Sequence, residues 1–262
     1  MIMNKQILAS TFFAAVFFSA AAHAAWEAGA GVEAYSWQEY ATSANGVAEK
    51  PTEFGPRFAL HLNWTQSGEQ GLLFAYNAKF YTGKVHYDTY EQKTDTPVST
   101  STRYLGTAQE ARMLYRKNSD SYVLDYVGGL GWDIWRRTIA QSQIEDYSIL
   151  YLRGGFNLDR PSHGTGWHGG GGLKFPFQTY ENAHLTDQGY YSNPIITPGK
   201  DISLYAELGY RIDSHLDVVG YYDSWRFSKS DIRTTSDVKG TWQVWQPRSS
   251  MNLLGIRLMQ SY

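Results

Sequence analysis

The sequence contains no cysteine, carries almost no net charge and has no long hydrophobic run after its first 24 residues. Without cysteine, disulfide bonds and thiolate metal sites are excluded. With 23 Lys and Arg against 25 Asp and Glu, the chain has no basic footprint for a nucleic acid. A mean hydropathy of -0.43 and the lack of a later apolar stretch of roughly 18 residues exclude a helical membrane protein.

The first 24 residues have the pattern of a secretory signal peptide. Lys5 supplies the positive charge, an apolar run follows from Ile7 to Ala22, and Ala22-His23-Ala24 matches a cleavage site. The run is shorter than the roughly 20 residues that a membrane-spanning helix needs. We therefore predict cleavage after Ala24, which leaves residues 25–262 as a single exported domain.

The rest of the chain is organised as about ten segments in which apolar and polar residues alternate. Such alternation is typical of β-strands with one apolar face. The connections between the segments are alternately short and long, which is the rhythm of outer-membrane barrels with short periplasmic turns and longer external loops. The segments are 26–40, 57–66, 72–80, 103–116, 122–134, 146–157, 167–177, 204–211, 217–228 and 252–262. The short connections are 67–69, 117–120, 158–164 and 213–215, and the long ones are 41–55, 86–102, 138–145, 179–200 and 229–247.

The ninth segment departs from the pattern. Asp223 has the same parity as Val219, Tyr221 and Trp225, so a charge falls on the face that carries the apolar residues. We expect a β-bulge, or a position above the lipid, to resolve this conflict.

The last segment alternates up to the final residue. Leu254, Ile256 and Leu258 share one face, the residues between them point the other way, and the chain ends in the aromatic Tyr262. This segment resembles the C-terminal assembly signal of bacterial outer-membrane proteins. The resemblance implies an all-β, antiparallel up-and-down transmembrane β-barrel of about ten strands, within a range of 8–12. It also implies the outer membrane of a Gram-negative bacterium, with both termini in the periplasm. The implied partners are outer-membrane lipid, lipopolysaccharide and the barrel-assembly machinery, which would bind the strand ending at Tyr262.

The alternation alone also fits a soluble barrel or sandwich whose apolar face points inward. The signal peptide, the terminal aromatic residue and the loop rhythm favour the membrane, where the polar face would line the lumen. A barrel of ten strands is little wider than one that its own side chains fill. We therefore expect a largely plugged lumen in which charges pair, because an unpaired buried charge is costly; the alternative is a narrow polar conduit. The predicted structural network consists of Lys79, Glu110, Arg112, Asp125, Asp133, Arg153, Glu207, Arg211 and Arg257.

An enzymatic role has weaker support in the sequence. In size and strand count the chain is similar to the omptin proteases, which use paired aspartates and an Asp-His set at the outer rim, but it has no omptin motif. His86, Asp88 and His184 fall in predicted external loops and are the candidates for acid–base chemistry. Asp213 and His215 lie in a short turn that the topology places in the periplasm.

No motif points to a metal, a cofactor or a nucleophile. His163 and His168 lack a clustered carboxylate partner, and the glycine run Gly169–Gly172 is not followed by Gly-Lys-Ser/Thr. No Gly-x-Ser-x-Gly elbow is present. We therefore predict no catalytic residue, no metal site and no cofactor.

The long loops offer a different kind of site. Tyr190 and Tyr191 fall in one loop, and Trp242 and Trp245 fall in another. Exposed aromatic clusters of this type can anchor a binding partner, although loop aromatics also pack locally. The sequence therefore predicts a non-enzymatic barrel whose surface loops contact a ligand, a partner or lipopolysaccharide. The alternatives are a narrow passive channel for small solutes and an omptin-like rim hydrolase.

Overall fold

The computed structural model describes residues 24–42, 48–91, 96–140, 143–160 and 165–262. The predicted signal peptide lies almost wholly outside these residues. The strands are β1 (Ala24–Thr42), β2 (Ala48–Glu49), β3 (Thr52–Gln66), β4 (Gly71–Glu91), β5 (Thr96–Asn118), β6 (Val123–Ala140), β7 (Gln143–Asp159), β8 (Gly166–Asn182), β9 (Ser203–Arg211), β10 (Leu216–Phe227), β11 (Arg233–Asp237), β12 (Gly240–Val244) and β13 (Arg248–Ser261).

Ten of these strands form a closed antiparallel barrel, as the sequence predicts. The order is β1-β3-β4-β5-β6-β7-β8-β9-β10-β13, and β13 pairs back onto β1 from Glu27↔Ser261 to Tyr40↔Arg248. Closure leaves the barrel no free edge, so its backbone hydrogen bonds are satisfied within it. We call the end at which β1 begins and β13 ends the proximal end, and the opposite end the distal end.

The outer surface of the barrel is apolar. On β13, Leu254, Ile256 and Leu258 are 64%, 52% and 56% exposed. Leu60 on β3 and Leu208 on β9 are also more than half exposed. A soluble barrel would bury these side chains, whereas a transmembrane barrel turns them towards lipid. The apolar face therefore points outward all round the barrel.

Across the described residues, no helix has both the length and the apolar character needed to cross a membrane.

Where the structure describes them, the predicted long connections 41–55, 86–102 and 138–145 are mainly strand. The ladder between β4 and β5 continues to Glu91↔Thr96, and β6 pairs with β7 up to Ala140↔Gln143. A membrane-spanning strand needs only about 9–11 residues, so these strands extend well past the lipid. Beyond the lipid neither face has to be apolar, and the alternation therefore disappears while the hydrogen bonding continues.

The ninth predicted segment, β10, contains no bulge. Its ladders with β9 and β13 run without a register shift, and Val219, Tyr221 and Trp225 point into the lumen together with Asp223. Trp225 is only 1% exposed. The expectation of a bulge was wrong, because on this strand the aromatic face is the inner one.

Two distal connections pack on each other. Residues 183–202 contain a 3-10 helix (Leu185–Gln188), and residues 228–247 contain the β11–β12 hairpin. The Tyr191 backbone N–H donates to the Ser236 carbonyl at 2.7 Å, and the Thr235 hydroxyl donates to the Ser192 carbonyl at 3.1 Å. We call residues 183–202 and 228–247 together the distal lobe.

Candidate functional site: the barrel lumen

The distal half of the lumen is filled with aromatic side chains. Trp37, Trp135 and Trp225 are each at most 2% exposed, and the Trp135 ring stacks on Tyr147 with a centroid distance of 4.8 Å. Together they belong to a continuous buried cluster, which we call the plug. The plug comprises Tyr35, Trp37, Ala59, Tyr81, Val85, Tyr104, Trp135, Tyr147, Ile149, Tyr151, Trp225, Phe227 and Met251.

One buried arginine, Arg137, pairs with a glutamate from each of three strands at the distal side of the plug. Arg137 on β6 donates to Glu53 at 2.9 Å, to Glu145 at 2.7 Å and to Glu39 at 3.1 Å. The Arg137 and Glu53 side chains are 2% and 0% exposed. Charge-assisted hydrogen bonds of this kind are the strong ones in a protein interior, so Arg137 holds β1, β3, β6 and β7 together across the lumen.

A second layer of charge lies among the rings at the proximal side of the plug. Arg57 donates twice to Glu33, at 3.0 and 2.7 Å, and Lys79 donates to the other Glu33 oxygen at 3.1 Å. The Arg57 guanidinium lies between the rings of Tyr35 and Tyr81, 4.4 and 4.3 Å from their centroids. Contact with two ring faces compensates part of the solvation that the buried cation loses.

The same layer continues on the opposite wall. Lys174 is ion-paired with Asp223 at 2.5 Å and lies 3.6 Å from the centre of the Trp225 ring. Asp133 accepts hydrogen bonds from Tyr81 at 2.8 Å and from Trp225 at 3.1 Å. Side chains from facing walls therefore meet at this level and close the lumen.

Below this layer the lumen is hollow. A cavity of about 620 Å³ runs from Tyr151 and Tyr221 down to the exposed turn residues Ser67–Glu69 at the proximal end. All nine residues of the predicted polar network line this cavity. The lumen is thus filled at the distal level and open at the proximal level, whereas the sequence predicted a plug without this division.

The charges around the cavity are paired along its wall. Arg153 contacts Glu110 at 2.9 Å, and its guanidinium lies 3.4 Å from the centre of the Tyr205 ring. Glu110 also accepts from Tyr151 at 2.7 Å and from Arg112. Further pairs are Arg116–Asp125 at 2.8 Å, Arg211–Asp159 at 3.0 Å and Arg257–Glu207 at 2.8 Å. That these contacts serve a structural role stays a prediction.

The glycine run on β8 makes room for one of these rings. A Cβ atom at Gly172 would overlap the Gly154 carbonyl oxygen and the Tyr205 hydroxyl, and a Cβ at Gly155 would meet the same hydroxyl. Only residues without a side chain allow Tyr205 to lie this close to the β7–β8 wall. The run therefore serves packing inside the barrel.

Sequence reasoning missed the distal charges. Glu33 and Arg57 have inward parity in predicted strands, but nothing in the pattern marked them as partners. Glu53, Glu145 and Glu181 fell in predicted loops, although each is less than 9% exposed. Inward parity continued from the strands into those loops would have found Glu53 and Glu145. It would have missed Glu181, because a register shift of β8 against β7 between Pro176 and Gln178 reverses the parity.

The predicted loop aromatics all lie in the distal lobe. Tyr191, Trp242 and Trp245 are 65%, 44% and 40% exposed, and Tyr190 is half-buried. The Trp242 indole donates to Asp237 at 2.9 Å, so its ring is held in place at the surface. The lobe therefore presents exposed aromatic side chains, and their role in binding stays a prediction.

The first candidate for acid–base chemistry lies on the outside of the barrel. His86 contacts Asp88 at 3.0 Å and Ser99 at 3.2 Å, and both contacts use the same ring nitrogen, Nε2. A catalytic triad needs the acid and the nucleophile on different nitrogens. The His86 and Asp88 side chains are 61% and 57% exposed, so nothing there excludes water.

The other candidate, His184, does not share a strand with His86. Its Nε2 lies 2.8 Å from Asp146, which also accepts two hydrogen bonds from Arg136 at 2.7 and 2.8 Å. Between β4 and β7 the sheet contains β5 and β6, so the predicted rim residues do not form one centre. No group of three or more His, Cys, Asp or Glu residues suited to a metal occurs in the described part of the chain.

Comparison with known proteins gives similarity in fold. No protein-family model matches the sequence, and no curated protein matches it. The outer membrane protease OmpT from Escherichia coli aligns over 92% of this chain and 97% of its own, with 10% identity and a TM-score of 0.51. A deletion mutant of the monoaromatic hydrocarbon channel TodX of Pseudomonas putida aligns over 91% and 90%, with 8% identity and a TM-score of 0.41. Ail of Yersinia pestis aligns over 92% and 99%, with 7% identity and a TM-score of 0.34. The chain therefore has the closed antiparallel barrel fold that it shares with OmpT.

Proposed function

We propose that the protein is an outer-membrane barrel with periplasmic termini that acts through its outer surface and not through its lumen. The observation that carries this proposal is the plug: its tryptophans Trp37, Trp135 and Trp225, each at most 2% exposed, fill the distal half of the lumen. The exposed aromatics of the distal lobe, on the opposite end from the termini, are the surface proposed to contact an extracellular ligand or partner. Insertion through the barrel-assembly machinery, with the strand ending at Tyr262 as its signal, is part of the same proposal.

Planar-bilayer recording tests the closed lumen. The purified, folded protein is expected to give no conductance above that of the bare bilayer. The Tyr151→Ala/Trp225→Ala double variant removes two rings between the cavity and the distal face, and it is expected to conduct in discrete steps. Trp242→Ala, a matched loss of an aromatic ring in the distal lobe, is expected to stay closed. Steady conductance from the wild-type protein would overturn the proposal.

A narrow channel is the second candidate, and the proximal cavity favours it. A cavity of about 620 Å³ lined by both signs of charge already spans the proximal part of the lumen. Conduction would then require the plug to move. Voltage steps in the same recordings test this: reversible opening of the wild-type protein would favour the channel, and its absence would remove it.

The surface role is tested separately from the lumen. A Tyr191→Ser/Trp242→Ser/Trp245→Ser variant keeps the barrel and removes the exposed rings of the distal lobe. Binding of purified protein to immobilised glycans and to lipopolysaccharide is expected to fall, while heat-modifiable electrophoretic mobility, the sign of a folded barrel, stays unchanged. Unaltered binding of the variant to every surface that the wild type binds would contradict the role of these rings.

A further inference from the structure

The outer surface of the barrel carries two facing positive charges at the distal border of its apolar belt. Lys84 on β4 and Arg103 on β5 are directly opposite in the antiparallel ladder, and both are exposed. Their parity is that of Phe80 and Leu105, which are 51% and 66% exposed on the lipid-facing side. The two cations therefore stand on the outer face, one alternate position beyond Leu105.

Opposed like charges destabilise a strand pair, so this arrangement needs an explanation. In the described part of the chain, neither Lys84 nor Arg103 has a hydrogen bond, an ion pair or a cation–π contact through its side chain. Their neighbour Arg136, across from Leu105 on β6, is instead neutralised by two hydrogen bonds to Asp146. Of these three basic residues, Lys84 and Arg103 are therefore the two without a neutralising carboxylate among the described residues.

Arg226, near the same border, is an arginine whose hydrogen-bond donors are already used within the protein. It donates to the Trp225 and Met251 carbonyls at 2.9 and 2.8 Å, and to Asn252 at 2.6 Å. All of those acceptors belong to the protein, so Arg226 has few donors left for a ligand. The ammonium of Lys84 and the guanidinium of Arg103 keep all of theirs.

We propose that Lys84 and Arg103 bind a phosphate group of an outer-leaflet lipid. Two residues along a strand correspond to about 7 Å, so the pair lies about that far beyond Leu105, at the level proposed for the lipid headgroups. A phosphate between the two cations removes their repulsion, and the planar Arg fork and the Lys point charge both suit phosphate oxygens. The hydroxyls of Ser101 and Thr138, next to the pair on the same outer face, add further donors. The proposal rests on the outer-membrane location given above and deepens it by assigning a lipid site.

The test compares two double variants that lose the same charge. Lys84→Gln/Arg103→Gln removes the pair. Lys117→Gln/Arg160→Gln removes an exposed lysine at the proximal end of β5 and an exposed arginine directly after β7, both outside the distal lobe. The probes are bisphosphorylated lipid A, dephosphorylated lipid A and inorganic phosphate, titrated against purified folded protein in detergent. Native mass spectrometry counts the bound lipid.

The first variant is expected to lose affinity for phosphorylated lipid A by about tenfold to a hundredfold, which corresponds to one or two charge-assisted hydrogen bonds. The second variant is expected to match the wild type in affinity. The single variant Lys84→Arg, which keeps Arg103 and a positive charge at position 84, is also expected to bind phosphorylated lipid A as the wild type does. An equal loss in both double variants would overturn the proposal, because it would show non-specific attraction. Equal binding of dephosphorylated lipid A would overturn it as well, and so would displacement by millimolar inorganic phosphate.

These measurements do not depend on where the cell places the protein. Fractionation of cells into inner and outer membranes tests the proposed location independently. Recovery outside the outer membrane would overturn the proposed function while leaving the measured phosphate affinity intact. If the first variant loses heat-modifiable mobility and so fails to fold, the single variant Lys84→Gln takes its place. It is expected to show a smaller loss of affinity in the same assay.

Discussion

The two halves of the lumen bury the same kinds of charge in different surroundings. In the distal half, Arg137 lies among aromatic rings and donates to Glu53 and Glu39 across the lumen and to Glu145 on the neighbouring strand. In the proximal half, pairs such as Arg211–Asp159 run along the wall and face a cavity. A charge that loses its partner in the distal half has no solvent to contact, whereas a charge in the proximal half faces the cavity. The distal network therefore depends on its charge pairs, whereas the cavity wall tolerates the loss of one.

The largest expected effect comes from breaking the distal network. Arg137→Ala leaves Glu53 and Glu145 buried without their cation, and the free energy of unfolding is expected to fall by about 3–5 kcal/mol. Denaturant unfolding in detergent, followed by tryptophan fluorescence, measures it.

The matched change in the proximal half is Arg211→Ala. Its partner Asp159 faces the cavity, so the expected cost is about 1 kcal/mol or less. A cost for Arg211→Ala equal to that of Arg137→Ala would show that the two halves do not differ in solvation, and the comparison would fail.

A second prediction concerns packing in the wall of the hollow half. Gly172→Ala places a methyl group against the Gly154 carbonyl and the Tyr205 hydroxyl, so it is expected to lower the free energy of unfolding by about 1–3 kcal/mol. Gly128→Ala is the control, because a Cβ there has nothing within 4 Å, and its effect is expected to stay within about 0.5 kcal/mol. Equal values for the two would mean that Tyr205 moves freely in the cavity.

The smallest expected effect is a pH dependence confined to the distal lobe, outside both halves of the lumen. The hydrogen bond from the Trp242 indole, helped by the Lys239 and Gly240 backbone N–H groups, holds the pKa of Asp237 below its usual value of 3.8. Because the folded-state pKa is the lower one, the contribution to hairpin stability is present above the unfolded-state pKa. It is lost as pH falls through the folded-state pKa.

Tryptophan fluorescence on acidification measures this local change. The signal of Trp242 is expected to shift below about pH 4, where an ordinary aspartate is protonated, while the barrel stays folded. Asp237→Asn cannot titrate and is expected to remove the shift. An unchanged shift in that variant would assign the acid transition to another group.

The sequence predicted the architecture because period-two alternation reports which residues of a strand share a face. The spacing of Leu254, Ile256 and Leu258 placed them on one face, and the signal peptide, the terminal aromatic residue and the loop rhythm made that face the outer one, as their exposure confirms. The same rule placed residues such as Glu110 and Arg153 on the inner face, and the structure brings both to the cavity. Parity is a local property of the chain, so it can be determined without knowing the partners of a strand.

Only the tertiary structure decided how far the lumen is filled and which charges meet across it. The aromatic residues of β10, among them Tyr221 and Trp225, have the composition of a lipid-facing strand, yet they point inward and close the barrel. Arg137 and Glu53 are 84 residues apart and meet because closure brings their strands to facing walls at one height. Such contacts depend on strand tilt and on the stagger of the closed sheet, and local alternation contains no information on either.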